Sequence, residues 1–296
     1  MATAPTIAFV TMVRDDHFFL RLWVEHYARH VPRHHLFILL DGFDQTPPPF
    51  AEGCQIITLP RSTPGPGWDM RRWTMLADFN ATLLGRFDVV VLNDVDEIII
   101  ADPASGIPLL EALARARDVG VITPFAVEVV HRHDICPAPL DPTRPILRQR
   151  PHVRIREIYS KPCVSAVRLR WGTGGHRSNH PKLTLDPALY LFHLQFLDRS
   201  MLLQRQALRN AIMQGAQSGL PIAGATWAEP PAAMDSVLAS LQAKGDPIES
   251  DFRFERQRRR MANGWLKNES TGFWKLGKIH DTLTTYKIPE RFLDLI

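Results

Sequence analysis

Within the first half of the chain, apolar runs of strand length are separated by stretches of helical period, and that alternation admits few folds. "TIAFVTMV", "HHLFILLD", "CQIITLP", "FDVVVLND" and "VGVITPF" read as strands. Between them, "DHFFLRLWVEHYARH", "DMRRWTMLADFNATLLG" and "GIPLLEALARAR" carry the apolar spacing of helices. Such βαβ units predict an α/β fold, Rossmann-like, with a mostly parallel sheet and helices on both faces. "TMVRDDHFF" follows the first strand where a dinucleotide fold needs G-x-G-x-x-G, and there is no G-x-x-x-x-G-K-[ST] loop. NAD and P-loop-held ATP are therefore excluded as expected ligands. Open α/β sheets still bind ligands at the carboxyl ends of their strands, which directs attention to Arg14, Asp15, Asp41 and the stretch from Asn93 to Glu97.

The texture changes near Pro137. "CPAPLDPTRPILRQRPH" is too rich in Pro and Arg to be regular, and two strand-like runs, "KPCVSAVRLRW" and "ALYLFHLQF", flank the turn "GTGGHRSNHPK". Helical patterns follow from Ser200, so we expect a main domain over 1–200 and a C-terminal helical extension over 201–296 packed on it. Hydrophobic residues at 45% and charged residues at 22% suit an ordinary globular protein, and no apolar run approaches the roughly 18 residues of a membrane span. A cytoplasmic location is the expectation. The net charge of +4 suits a phosphate-bearing ligand or peripheral contact with an anionic inner membrane face. Cys54, Cys136 and Cys163 are too few and too scattered for a disulfide framework or zinc cluster. The arginines of "FRFERQRRRM", Arg253, Arg256, Arg258, Arg259 and Arg260, form either a solvated helix face or an anion-binding patch.

"FDVVVLNDVDEIIIADP" places Asp94, Asp96 and Glu97 between two runs that read as buried. Asp94 and Asp96 alternate, so an extended backbone points both to one face. Two carboxylates so close repel, and burying an unpaired charge is costly, so something cationic should sit between them. Mn²⁺ or Mg²⁺ meets that need, with substrate phosphates completing its shell; the other reading is that these acids cap the following turn or pair with arginine.

At this point the chain resembles glycosyltransferases of the GT-A fold, in the family-2-like group whose core is a D-x-D-E motif after a hydrophobic strand, here "VVVLNDVDEII". "FVTMVRDDHFFLRLWVEHYARH" is similar to that group's opening strand, polar turn and helix. "HLFILLDGFD" resembles its second strand, and "KPCVSAVRLRWGTGGH" its later lysine-containing strand leading to a histidine. Arg14-Asp15-Asp16 departs from the group's usual Asn-Glu. The resemblance spans roughly residues 6 to 200 and implies metal-dependent transfer from a nucleotide-sugar, a UDP- or GDP-sugar, to a saccharide or other hydroxyl acceptor in polysaccharide biosynthesis. It implies Asp94 and Asp96 as metal ligands, joined by His176 or His193. Thr11, Val13, Arg14 and Asp41 would line the nucleoside pocket, Asn93 would bond the ribose, and Arg71 and Arg72 would contact base or diphosphate.

An inverting transferase needs a base for the acceptor hydroxyl, and Glu97, Glu128, His131 and Asp134 all qualify by type. The acceptor is expected at "HRHDICPAPLDPTRP" and "GTGGHRSNHP", with Trp171 either stacking on a sugar or filling the core. Two other readings compete. A nucleotidyltransferase would share the carboxylates but carries a Gly-rich, Lys/Arg-containing loop that is absent here. A non-catalytic module would dock the Arg-rich segment on anionic lipid; nucleic acid is not expected, since only Phe252, Phe254 and Trp265 are available there for stacking.

Overall fold

Alternate residues of the first strand serve opposite cores. Ile7, Phe9 and Val13 pack with Phe19, Trp23 and Tyr27 on one face, whereas Ala8, Val10 and Met12 pack with Trp73, Leu76 and Ala77 on the other. Side chains alternate across a strand, so a fully apolar strand demands a helix on each side. The structure, a computed structural model, describes residues 5–214 and 225–296.

The first half runs β1 (Ile7–Val13), α1 (His17–Tyr27), β2 (Leu36–Asp41), β3 (Gln55–Leu59), α2 (Trp68–Leu83), β4 (Val89–Leu92) and β5 (Glu97–Ala101). Next come α3 (Leu109–Ala114), α4 (Ala116–Val119) and the long β6 (Val121–Val130). The second half adds α5 (Ile146–Gln149), β7 (His152–Arg156), β8 (Val164–Ser165) and β9 (Leu185–Phe196). It continues with α6 (Arg199–Gln214), α7 (Pro231–Ala243) and α8 (Glu255–Asn263), a hairpin of β10 (Trp265–Lys267) and β11 (Trp274–Leu276), and β12 (Asp281–Lys287).

These strands make an α/β fold around one large mixed sheet in the order β12-β7-β6-β8-β4-β1-β2-β3. Its N-terminal half is the parallel array the alternation predicts, since β1 pairs parallel with both β2 and β4, and β2 with β3. The short β8 runs antiparallel between β4 and β6, and β9 joins β6 in parallel and β5 antiparallel.

Three local expectations change. The stretch expected to be irregular before His152 holds α5, and only Arg150 and Pro151 separate it from β7. "KPCVSAVRLRW" yields only the two-residue β8, because the pair is clamped between β4 and β6 and the chain then leaves the sheet. The last third is only partly helical: β12 adds to the edge of the main sheet antiparallel to β7. Its segment "DTLTTYK" is rich in β-branched residues, which fit a pleated edge better than a helix. α6 and α7 do pack as expected, burying Leu202, Met234, Leu238 and Leu241 against Val130 and Phe196. The segment 215–224 of the expected extension lies outside the described residues.

Two arginines of the Arg-rich segment are structural. Arg258 lies over the rings of Phe125 and Tyr190, at 4.7 and 4.9 Å, and donates to the Asp186 carbonyl, while Arg260 pairs with Glu157. Only Arg253, Arg256 and Arg259 of the five are exposed. No helix among the described residues is long and apolar enough to cross a membrane.

Candidate functional site

The parallel strand β4 delivers Asn93 to Asp96 to its carboxyl end, where the chain turns into β5. Asn93 is buried and stitches this turn in place. Its Oδ1 accepts from Trp23 Nε1 at 3.3 Å, and its Nδ2 donates to the Tyr27 hydroxyl at 3.3 Å and to the Glu97 carbonyl. The Glu97 amide donates to the Asp94 carbonyl at 3.0 Å, so residues 94–97 form a tight turn, not the extended stretch that alternation suggested. Asn93 thus positions the acids; its buried amide is engaged on both atoms by Trp23, Tyr27 and Glu97 and is not free for the expected ribose contact.

Asp94 and Asp96 meet different cations as a result. Asp94 Oδ1 accepts from Arg72 Nη2 at 2.9 Å, and Oδ2 from Lys161 Nζ at 2.7 Å. Lys161 Nζ also lies 2.6 Å from Glu97 Oε1. Asp96 Oδ2 accepts from Arg205 Nη1 on α6 at 2.8 Å, and Arg205 Nη2 reaches Asp16 at 2.9 Å. The side chain of Asp94 is 28% exposed and that of Lys161 only 4%, so the carboxylate borders solvent above a buried ammonium. Burial works against charge on Asp94, but Lys161 and then Arg72 hold its pKa far below the carboxylate range. Asp96 is likewise held down by Arg205 and His193 against burial. Burial pushes Glu97 up to about 7 despite Lys161, and the two acids together raise Lys161 against the same effect.

Strand register accounts for a second feature that no periodicity reveals. Glu97 on β5 lies opposite His193 on β9, His193 opposite Glu128 on β6, and Glu128 opposite Arg154 on β7. Four ionisable side chains therefore line up across four strands. His193 Nδ1 sits 2.9 Å from Glu128 Oε1, Arg154 Nε donates to Glu128 Oε2 at 2.5 Å, and the Tyr159 ring stacks on His193 at 3.8 Å. Burial opposes the charge of Glu128, yet Arg154 and His193 hold it down at about 2. Fully buried and paired on both sides, Glu128 orients His193 and has no access to a substrate hydroxyl.

The remaining expected residues divide into those at the cluster and those away from it. His176 Nδ1 lies 2.8 Å from the Ile158 carbonyl and therefore donates to it; burial and then Lys161 lower its pKa to about 3, leaving a neutral ring. Arg71 instead donates to the Pro66 carbonyl at 2.6 Å. Asp41 is engaged by Ser62, accepting from its amide and hydroxyl at 2.8 and 2.9 Å, and Arg14 by the Asp41 carbonyl and Asp44 at 2.7 Å each. Thr11 and Val13 are buried, with Thr11 Oγ1 lacking a partner. His131 and Asp134 belong to a different network: His131 contacts the Cys136 carbonyl and the Arg199 amide, and Asp134 pairs with buried Arg132. That network ties the expected acceptor loop to Gly245 and Thr285, so it anchors the C-terminal strand. Trp171 is buried and donates to the Pro162 carbonyl at 2.9 Å, which makes it core and not a stacking surface.

A divalent ion shared by Asp94 and Asp96 needs unengaged oxygens and at least one more ligand. Both Asp94 oxygens are taken by side-chain cations, as is Asp96 Oδ2, and His193 Nε2 stands 4.0 Å from that same oxygen. Among the described residues, no group of three or more His, Cys, Asp or Glu side chains is arranged to hold a metal ion. The residues present do not fit the expected Mn²⁺ or Mg²⁺ site. The cation that repelling carboxylates require is supplied by Lys161, Arg72 and Arg205.

The motif led to the acids, and pairing with arginine was one reading of them, but the motif did not single out Lys161 or Arg205 as partners. Lys161 was visible only as a lysine in a motif, and Arg205 carries no local signal at all, since it meets Asp96 across 109 positions. The chain matches no model of a known protein family and no curated protein.

Proposed function

We propose that the protein is a glycosyltransferase of GT-A type that takes its sugar from a nucleotide-sugar, a UDP- or GDP-sugar, and passes it to a hydroxyl acceptor. One observation carries this reading: a partly exposed carboxylate, Asp94, stands with Arg72 and Lys161 at the carboxyl end of β4, in a parallel array flanked by helices. Open α/β sheets hold their ligands at those strand ends. Departure of a nucleoside diphosphate develops negative charge on its phosphates, and preorganised cations placed there lower the barrier. Arg72 keeps further N–H donors after binding Asp94, and a guanidinium grips phosphate through two of them at once. No step of this reading is routed through a metal, because the carboxylates already hold side-chain cations.

A thermal-shift series with UDP, GDP, UMP and GMP tests the reading. The diphosphates should stabilise the protein, by about 2.7 kcal/mol at a hundredfold excess over Kd, and the monophosphates less. No stabilisation by any nucleoside diphosphate, with or without Mn²⁺, contradicts it.

A further inference from the structure

One cation beside the cluster has no counter-ion among the described residues. Arg209 follows Arg205 by one turn of α6, and a substantial part of its side chain is buried. Burial, and then Arg205, push its pKa down; the acids it senses, Asp96 and Asp16, are both already bonded to Arg205. Among the described residues no carboxylate pairs with Arg209, and residues 1–4 and 215–224 contain no Asp or Glu. Its guanidinium instead lies 5.5 Å from the centre of the Trp227 ring.

Trp227 in turn meets Trp68, with ring centroids 5.6 Å apart and planes inclined by 57°. Both tryptophans remain partly exposed. Trp68 Nε1 is buried and finds no hydrogen-bond partner among the described residues, so the exposed part of the side chain is its apolar ring. Trp68 opens α2 four residues before Arg72, which holds Asp94, so the aromatic pair borders the carboxylate cluster. Arg209 reaches the same border from α6. An aromatic surface and an unmatched guanidinium thus converge from α2, α6 and the short turn at 225–228 that carries Trp227.

We propose that Trp68, Trp227 and Arg209 form the acceptor subsite and that the acceptor is an acidic saccharide, bearing a carboxylate or phosphate. The C–H face of a sugar ring lies on the indoles, and Arg209 binds the acid group through paired N–H donors. The label "acceptor" rests on the transferase reading; the binding of an acidic saccharide does not.

Saturation-transfer NMR with trigalacturonate and glucose 6-phosphate, against cellotriose and glucose, tests the site. Titrations of UDP and GDP are run on the same samples. The acidic sugars should bind at least about tenfold more tightly than the neutral ones, the worth of one charge-assisted pair. Arg209→Gln should erase that preference, and Trp227→Ala should weaken the acidic sugars by about tenfold or more, as loss of a stacking face does. Nucleoside diphosphate affinity should stay unchanged in both variants. Equal binding of acidic and neutral sugars, no binding of either, or wild-type binding by both variants overturns the subsite. Loss of nucleotide affinity in Arg209→Gln also overturns it, assigning the cation to the donor phosphates. Acidic sugars binding to a protein that ignores UDP and GDP would uphold the site and sink the transferase reading.

Discussion

Lys161 decides what Asp94 and Glu97 are at the residue scale. Its ammonium lies within 2.7 Å of both carboxylates, and its side chain is almost wholly buried. Replacing it by Met leaves the buried Glu97 without its counter-ion beside the partly exposed Asp94, which costs roughly 3–5 kcal/mol for a broken buried pair. Chemical denaturation should show that loss, and a change under about 1 kcal/mol, typical of exposed pairs, would contradict the assignment. The histidines give the protein a distinct acid sensitivity. Burial lowers His26 and His152 from 6.5 to about 4, so each is neutral in the fold and takes up a proton on unfolding. Their folded pKa lies below the unfolded one, so their contribution is complete above pH 6.5 and is lost as pH falls toward 4. The slope is about 1.4 kcal/mol per pH unit for each. Glu97, raised to about 7, acts in the opposite sense, so the clean test is a difference. His26→Gln keeps a donor for the Ile99 carbonyl and should remove one histidine's share of the slope between pH 6.5 and 4. Parallel pH profiles for the two proteins would contradict the buried neutral assignment.

Elements were legible where one periodicity holds and hidden where contacts come from afar. All of β1 to β4 with α1 and α2 follow from the alternation of apolar runs, because both faces of each strand must be covered. The acids of the site were legible too, since four polar residues inside two apolar runs stand out. The row Glu97, His193, Glu128 and Arg154 was not, because it exists only once β5, β9, β6 and β7 are in register. A close approach between α2 and the glycine turn at 173–175 was also invisible. Gly175 has φ +71°, and a Cβ there would sit 2.4 Å from the Trp73 ring. Gly175→Ala should therefore destabilise by about 1–3 kcal/mol, as overpacking does, in contrast to the gain expected of Gly→Ala at a relaxed site. A melting temperature unchanged or raised would show that the turn does not press on α2.

The whole molecule is closed by its last segment, a relation that reading the chain in order obscures. β12 completes the edge beyond β7, and Phe252, Phe254 and Phe292 from the C-terminal third pack with Phe125, Tyr190 and Phe192 of the central strands. The C-terminal third also supplies Arg205 to Asp96, so the site is assembled from both ends of the chain. This union of a parallel strand end with distant cations is what the proposed transferase needs, and turnover tests it most directly. Purified protein is incubated with UDP- and GDP-sugars, with and without Mn²⁺, and release of nucleoside diphosphate is followed by phosphorus NMR. The account predicts release from at least one donor, reduced by about a hundredfold or more in Arg72→Gln, as when a preorganised cationic donor is removed from an active site. Intact donors throughout, or equal release by wild type and Arg72→Gln, would contradict it.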